Sequence, residues 1–265
     1  MPNDADGNSA PVGPGRVMRI TAWIAAVLAV AGALALPATP APTHPCVSGN
    51  ELLFRAADGT KLVGHRFGGT RPGARTAVVL AHMSVGDLCQ WVPYARGLAR
   101  KGFFVFPFDL RGHGFSEGRQ DHARAGADVS AAVRAVRGLG ARKVVVVGAS
   151  LGGIAAVIAT AAAKPALDGL VAVSAPVSIA GELNAMPAAQ RLRVPTLYVA
   201  AEQDQSPPYD FTADAQRLYD ATGTTQKRLE LLSGSLHGVF LVEGSGAVRK
   251  LLLAFVRDPR AAVRG

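Results

Sequence analysis

The sequence predicts an α/β architecture: a mostly parallel central sheet with helices on both faces, entered through an N-terminal hairpin. Three observations predict it. Two short strand-like runs flank Asp58-Gly59, a residue pair suited to a hairpin turn. Strand-like and helix-like segments then alternate to the end of the chain, as parallel strands with helical crossovers require. A serine between glycines, in Gly148-Ala149-Ser150-Leu151-Gly152, joins the run Lys143-Val144-Val145-Val146-Val147 directly to an alanine-rich helical stretch.

In chain order, the hairpin strands are Glu51–Ala56 and Thr60–Phe67, and Ala77–His82 is the next strand. Leu88–Arg100 reads as a helix with an apolar and a basic face. Phe103–Asp109 is a strand, Ala123–Arg137 a helix and Lys143–Gly148 a strand. Leu151–Ala163 is a helix of small residues, able to pack close to the sheet. Gly169–Ser174, Thr196–Ala201 and Lys227–Leu232 supply further strands, with helices near Phe211–Ala221 and Ala247–Phe255. Reactive groups in such a sheet belong at the carboxyl ends of the strands.

With 265 residues, 49% of them hydrophobic, the chain can bury one substantial core. One domain is expected over 49–265, behind an N-terminal segment 1–36 and a Pro-rich spacer 37–48. Arg16 and Arg19 precede an uncharged Ala/Val/Leu-rich stretch from Ile20 to Leu36, and Ala33-Leu34-Ala35 offers a small-x-small cleavage pattern. This is the pattern of an export signal or an uncleaved membrane anchor, so a secreted or cell-envelope protein is expected. In an oxidising compartment Cys46 and Cys89 could pair and tether the N-terminal segment to the core. They could equally be two unrelated thiols, and spacing does not decide. The formal net charge is +9, but its basic residues are dispersed. Dispersed charge reads as solvated surface, so no nucleic-acid partner is expected.

The glycine-flanked serine is the most specific signal. The chain must turn so sharply there that only small residues fit two positions either side, which pushes the Ser150 hydroxyl out above the strand end. The following helix aims its N-terminal N–H groups and positive dipole end at any charge developing there. The bland alternative is a tight turn in which Ser150 only caps the helix. A dinucleotide fingerprint is excluded, because it needs glycine where Ser150 stands.

A serine hydroxyl needs a base, and the base needs a third group to hold its tautomer. Among six histidines only His237 lies late in the chain, just past the last strand-like run, where it could reach the elbow from the opposite side. The acid should fall between serine and histidine, after an intervening strand. Asp204 is the first choice there, on a turn that returns a short carboxylate toward the sheet, and Glu202 is its rival. His82, Asp87, Cys89 and Asp109 show no recognised metal-ligand spacing, so no metal is expected.

These residues together resemble the α/β-hydrolase superfamily over nearly the whole chain from Glu51. Asp109-Leu110-Arg111-Gly112-His113-Gly114-Phe115-Ser116 resembles the loop after that family's fourth strand, and Leu80-Ala81-His82 with Gly86 resembles its oxyanion loop after the third. The elbow, the Asp204 turn and the His237 loop complete the family's order. The resemblance implies Ser150 as nucleophile, His237 as acid/base and Asp204 as the group orienting it. It implies an oxyanion hole from the backbone N–H groups of Leu151 and Ser84, with Met83 as the alternative donor. It also makes His82 and His113 loop scaffolding. One departure stands out, because Met83 occupies the place where the family usually has glycine.

Many relatives insert a helical lid between the sixth and seventh strands. Here only Pro176 to Pro195 separate the strand ending near Ala175 from the next, room for one short helix, so minimal or no cap is expected. The expected function is hydrolysis of a carboxylic ester through an acyl-enzyme, without metal or cofactor, on a small-molecule or acyl ester. Thioesterase, peptidase and cofactor-free haloperoxidase chemistry on the same fold are alternatives, as is a secreted binding module without activity.

Overall fold

The computed structural model describes residues 44–73, 75–179 and 181–264. The expected signal or anchor, residues 1–36, lies outside them, and no helix among the described residues is long and apolar enough to cross a membrane. Strands β1 (Glu51–Arg55) and β2 (Lys61–His65) form the hairpin, with Arg55 opposite Lys61. Its turn is set by the Asp58 carboxylate, which accepts the Thr60 N–H at 3.2 Å. The remaining strands are β3 (Ala77–Ala81), β4 (Phe104–Phe108), β5 (Val144–Ala149), β6 (Gly169–Val173), the short pair β7 (Ser178–Ile179) and β8 (Leu183–Asn184), β9 (Thr196–Ala201), the short pair β10 (Gln205–Ser206) and β11 (Tyr209–Asp210), and β12 (Lys227–Leu232).

Eight of these build one sheet in the order β1-β2-β4-β3-β5-β6-β9-β12. Pairing is antiparallel up to β4 and parallel beyond it. The order reverses between β3 and β5: β3 leads to β4 on one side and β5 leads to β6 on the other. A crevice opens at the carboxyl ends of two such strands, because their connections depart in opposite directions.

Helices α1 (Val92–Arg100), α2 (Ala125–Gly138), α3 (Leu151–Ala162), α4 (Met186–Arg191), α5 (Phe211–Ala221), α6 (Gly238–Gly244), α7 (Gly246–Arg257) and α8 (Pro259–Ala262) complete the fold. Along β3, Ala77, Val79 and Ala81 pack with α2 and α3, while Val78 and Leu80 pack with α1, α6 and α7. Each central strand is thus apolar on both faces, the condition that keeps a parallel sheet dry.

The expected helix over 88–100 is divided. Leu88–Trp91 is a 3-10 turn, and α1 begins only at Val92, where Pro93 occupies a first-turn position that needs no N–H donor. Helix α6 was not foreseen; it begins immediately after His237, in a loop too short to show helical periodicity. Between β6 and β9 stand only the β7–β8 pair and the six-residue α4, so the carboxyl end of the sheet carries a minimal cap.

Candidate active site

Ser150 stands between β5 and α3 with φ 52° and ψ −116°, a conformation costing a non-glycine residue on the order of 1–3 kcal/mol. Neighbours hold it there. The Ser150 N–H donates to the Val173 carbonyl at 2.9 Å, and the Gly152 N–H donates to the His82 carbonyl at 3.0 Å. The flanking glycines serve space rather than dihedral freedom. A Cβ on Gly152 would lie 2.6 Å from the His82 carbonyl oxygen, and one on Gly148 would overlap the Gly152 carbonyl. The elbow can therefore press against the loop leaving β3.

Ser150, Leu151 and His237 line one pocket of about 320 Å³, together with Met83, Ser84 and Val85. Its walls include Ile179, Tyr209, Phe211 and Phe240. His237 Nδ1 lies 2.9 Å from Asp204 Oδ1. A carboxylate oxygen accepts, so Nδ1 carries the hydrogen, which in the neutral ring leaves the lone pair on Nε2. Asp204 is 2% exposed, and its Oδ2 is buried without a hydrogen-bond partner. Glu202, the rival acid, is exposed; its backbone N–H pairs with the Leu232 carbonyl at 2.8 Å. The chain thus brings Ser150, His237 and Asp204 to one place, although no hydrogen bond joins Ser150 to His237.

Among the described residues, neither the Leu151 nor the Ser84 backbone N–H has a protein acceptor. Leu151 is the first residue of α3, where the helix supplies none. Met83 differs: its N–H donates to Gln90 Oε1 at 3.1 Å and is occupied.

A family model described as "alpha/beta hydrolase fold" matches residues 76–190, the span from β3 through the elbow to α4. The esterase Pf2001 of Pyrococcus furiosus superposes with a TM-score of 0.67, covering 78% of this chain and 91% of that one at 16% identity. The chain has the α/β-hydrolase fold. An enol-lactonase from Burkholderia xenovorans LB400 (TM-score 0.63, 19% identity, 77% and 100% coverage) and the Est1E of Butyrivibrio proteoclasticus with ferulic acid bound (0.65, 17%, 78% and 100%) share it. In sequence, the uncharacterized protein YfhR of Escherichia coli K12 is 31% identical over 112 residues. That match spans 40% of this chain and 39% of the relative.

In this α/β-hydrolase fold the two loop histidines serve as braces. His82 Nδ1 donates to the Met83 carbonyl at 2.6 Å, and its Nε2 accepts the Leu110 N–H at 3.0 Å. Complete burial lowers its pKa to about 3, so the ring stays neutral. His113 sits between the Ser84 and Arg111 carbonyls, at 3.0 and 2.9 Å. The residues weighed for a metal are otherwise engaged. Asp109 takes the Leu88 and Phe115 N–H groups and His44 Nε2, and Cys89 is in a disulfide with Cys46. His44, Asp87 and Cys89 do place ligand atoms within 4.8 Å of one another, but that sulfur has no thiolate to offer.

Three contributors to the site escape sequence reasoning. Ser174, fully buried with φ 49° at the end of β6, accepts the Gly238 N–H at 2.8 Å and so fixes the loop bearing His237. Its position at a strand's carboxyl end, as for Ser150, was the available signal. Phe211 lies with its ring centroid 4.2 Å from that of His237, and its N–H donates to the Asp204 carbonyl at 3.0 Å. Gln90 gave no signal, because its partners depend on the 3-10 turn.

Proposed function

We propose that the protein is a serine hydrolase that cleaves carboxylic esters of short or aromatic acyl groups. The observation that carries this reading is that His237, paired with the buried Asp204, lines the same pocket as the strained Ser150. In the proposed reaction Ser150 Oγ attacks the ester carbonyl while His237 Nε2 takes its proton and then passes it to the leaving alcohol. Asp204 holds the imidazole in the tautomer that can do so. The tetrahedral oxyanion rests on the Leu151 and Ser84 N–H groups, which have no protein acceptor to give up. Water, deprotonated by the same imidazole, then releases the acyl group.

The substrate class follows from the walls. Ile179, Tyr209, Phe211 and Phe240 favour an apolar acyl group, and a volume of about 320 Å³ is at the small end for ligand sites. The test is a nitrophenyl ester series assayed with the native protein and with Ser150→Ala. Turnover should fall from butyrate to dodecanoate, and the alanine variant should lose at least ~10⁴-fold in kcat. Undiminished turnover by Ser150→Ala would end the proposal.

A further inference from the structure

The loop after β3 carries Met83 where the α/β-hydrolase superfamily it resembles usually has glycine, and its surroundings accommodate the larger residue. Gln90 is the centre. Its Oε1 accepts the Met83 N–H at 3.1 Å, and its Nε2 donates to the Val85 carbonyl. One planar carboxamide therefore ties residues 83 and 85, and the N–H of Ser84 between them keeps no protein acceptor. Gly86, at φ 112°, makes room, because a Cβ there would lie 2.6 Å from Gln90 Nε2. Gln90 is itself anchored by its neighbours. Cys89 is bonded to Cys46, the Leu88 N–H donates to Asp109 Oδ1 at 2.9 Å, and Trp91 is fully buried.

The Met83 side chain works on the other flank. It is 2% exposed and fills the space between the elbow and the loop bearing His237. A Cβ added at Gly238, which has φ 56°, would lie 2.5 Å from Met83 Sδ and 3.5 Å from the Ala149 Cβ. Met83 thus packs beside Gly238 and the elbow while Gln90 fixes its backbone.

We propose that Gln90 is a positioning residue that selects Ser84, and not Met83, as the second oxyanion donor. The inference rests on the serine-hydrolase reading above. Of the two adjacent amides, the Met83 N–H is taken by Gln90 and only that of Ser84 is left without a protein acceptor. Occupying one of them with a carboxamide removes the competing arrangement before substrate arrives. A donor held in advance stabilises the oxyanion without rearranging in the transition state, where a mobile donor would lose much of its effect.

Gln90→Met keeps the length of the side chain and removes both hydrogen bonds; Gln90→Glu keeps the acceptor for the Met83 N–H and loses the donor to Val85. Rates are measured per active site titrated with a fluorophosphonate, alongside affinity for a trifluoromethyl ketone that forms a tetrahedral adduct. Gln90→Met should lower kcat by ~10- to 100-fold with KM within about twofold, and weaken the ketone by the same factor. Gln90→Glu should recover part of that loss. Native kcat and ketone affinity in Gln90→Met would overturn the inference, as would a loss confined to the fraction of folded sites. If Gln90→Met does not fold, Gln90→Glu decides: a lowered kcat at unchanged KM supports the inference and a native kcat overturns it. An inactive Ser150→Ala beside a fully active Gln90→Met would leave the hydrolase reading standing and remove only this one.

Discussion

Single buried hydrogen bonds decide how the His237 loop is held. Ser174 Oγ accepts the Gly238 N–H at 2.8 Å in a place with no exposure to solvent. Ser174→Ala would leave that N–H buried and unpaired, at a cost of about 1–3 kcal/mol. Because Gly238 adjoins His237, the same variant should lower kcat more than it raises KM. Urea unfolding and steady-state kinetics on an ester check both effects. The elbow itself was legible at this scale, since Gly148 and Gly152 are dictated by local crowding that leaves a mark in the sequence. Gln90 and Ser174 were not: Ser174 takes its role from Gly238, 64 residues away, and Gln90 meets Met83 and Val85 only through the 3-10 turn.

At the scale of elements, the segment preceding β1 is bound to the domain by two links. Cys46 and Cys89, 43 residues apart, form a disulfide with Cα atoms 5.8 Å apart. Nearby, His44 Nε2 lies 2.6 Å from Asp109 Oδ2, both groups buried. Closing a loop of 43 residues contributes about 3–4 kcal/mol in the chain-entropy view. A Cys46→Ala/Cys89→Ala protein should therefore melt several degrees lower, and reducing agent should lower the native protein's Tm but not the variant's. Equal melting of native, reduced and variant proteins would contradict this. The pairing was an open alternative in the sequence, because cysteine spacing carries no information about which loops meet. Strands and long helices were legible to within one or two residues, their apolar patterning being local. The 3-10 start of 88–100 and helix α6 were not, since each is shorter than two full helical repeats of the pattern.

Across the whole molecule, buried histidines tie stability to pH. Burial lowers the pKa of His82 to about 3 and also lowers that of His65, against an ordinary value of 6.5. The native state thus refuses protons that the unfolded chain accepts. Stability from these groups is fully present above pH 6.5 and is lost as pH falls toward the folded values. Asp109 and Asp214 are shifted upward by burial and act in the opposite sense. The histidine contribution falls as pH drops from about 6.5 to 5, and the loss of His82 isolates its share. Urea midpoints should fall through that window, and His82→Gln, if folded, should flatten the slope. A midpoint constant from pH 8 to 5 would contradict the argument.

The sequence by itself determined the architecture and the order of the site. The alternating strand and helix patterns, the small residues around Ser150, and serine before acid before histidine are all written locally or in simple succession. Tertiary structure alone decided which carboxylate meets the imidazole, which loop amide is left free, and that Cys46 reaches Cys89. The reason is range. Hydrophobic periodicity and steric crowding leave a local mark, whereas these hydrogen bonds and the disulfide need separations within about an ångström between atoms seven to 43 residues apart.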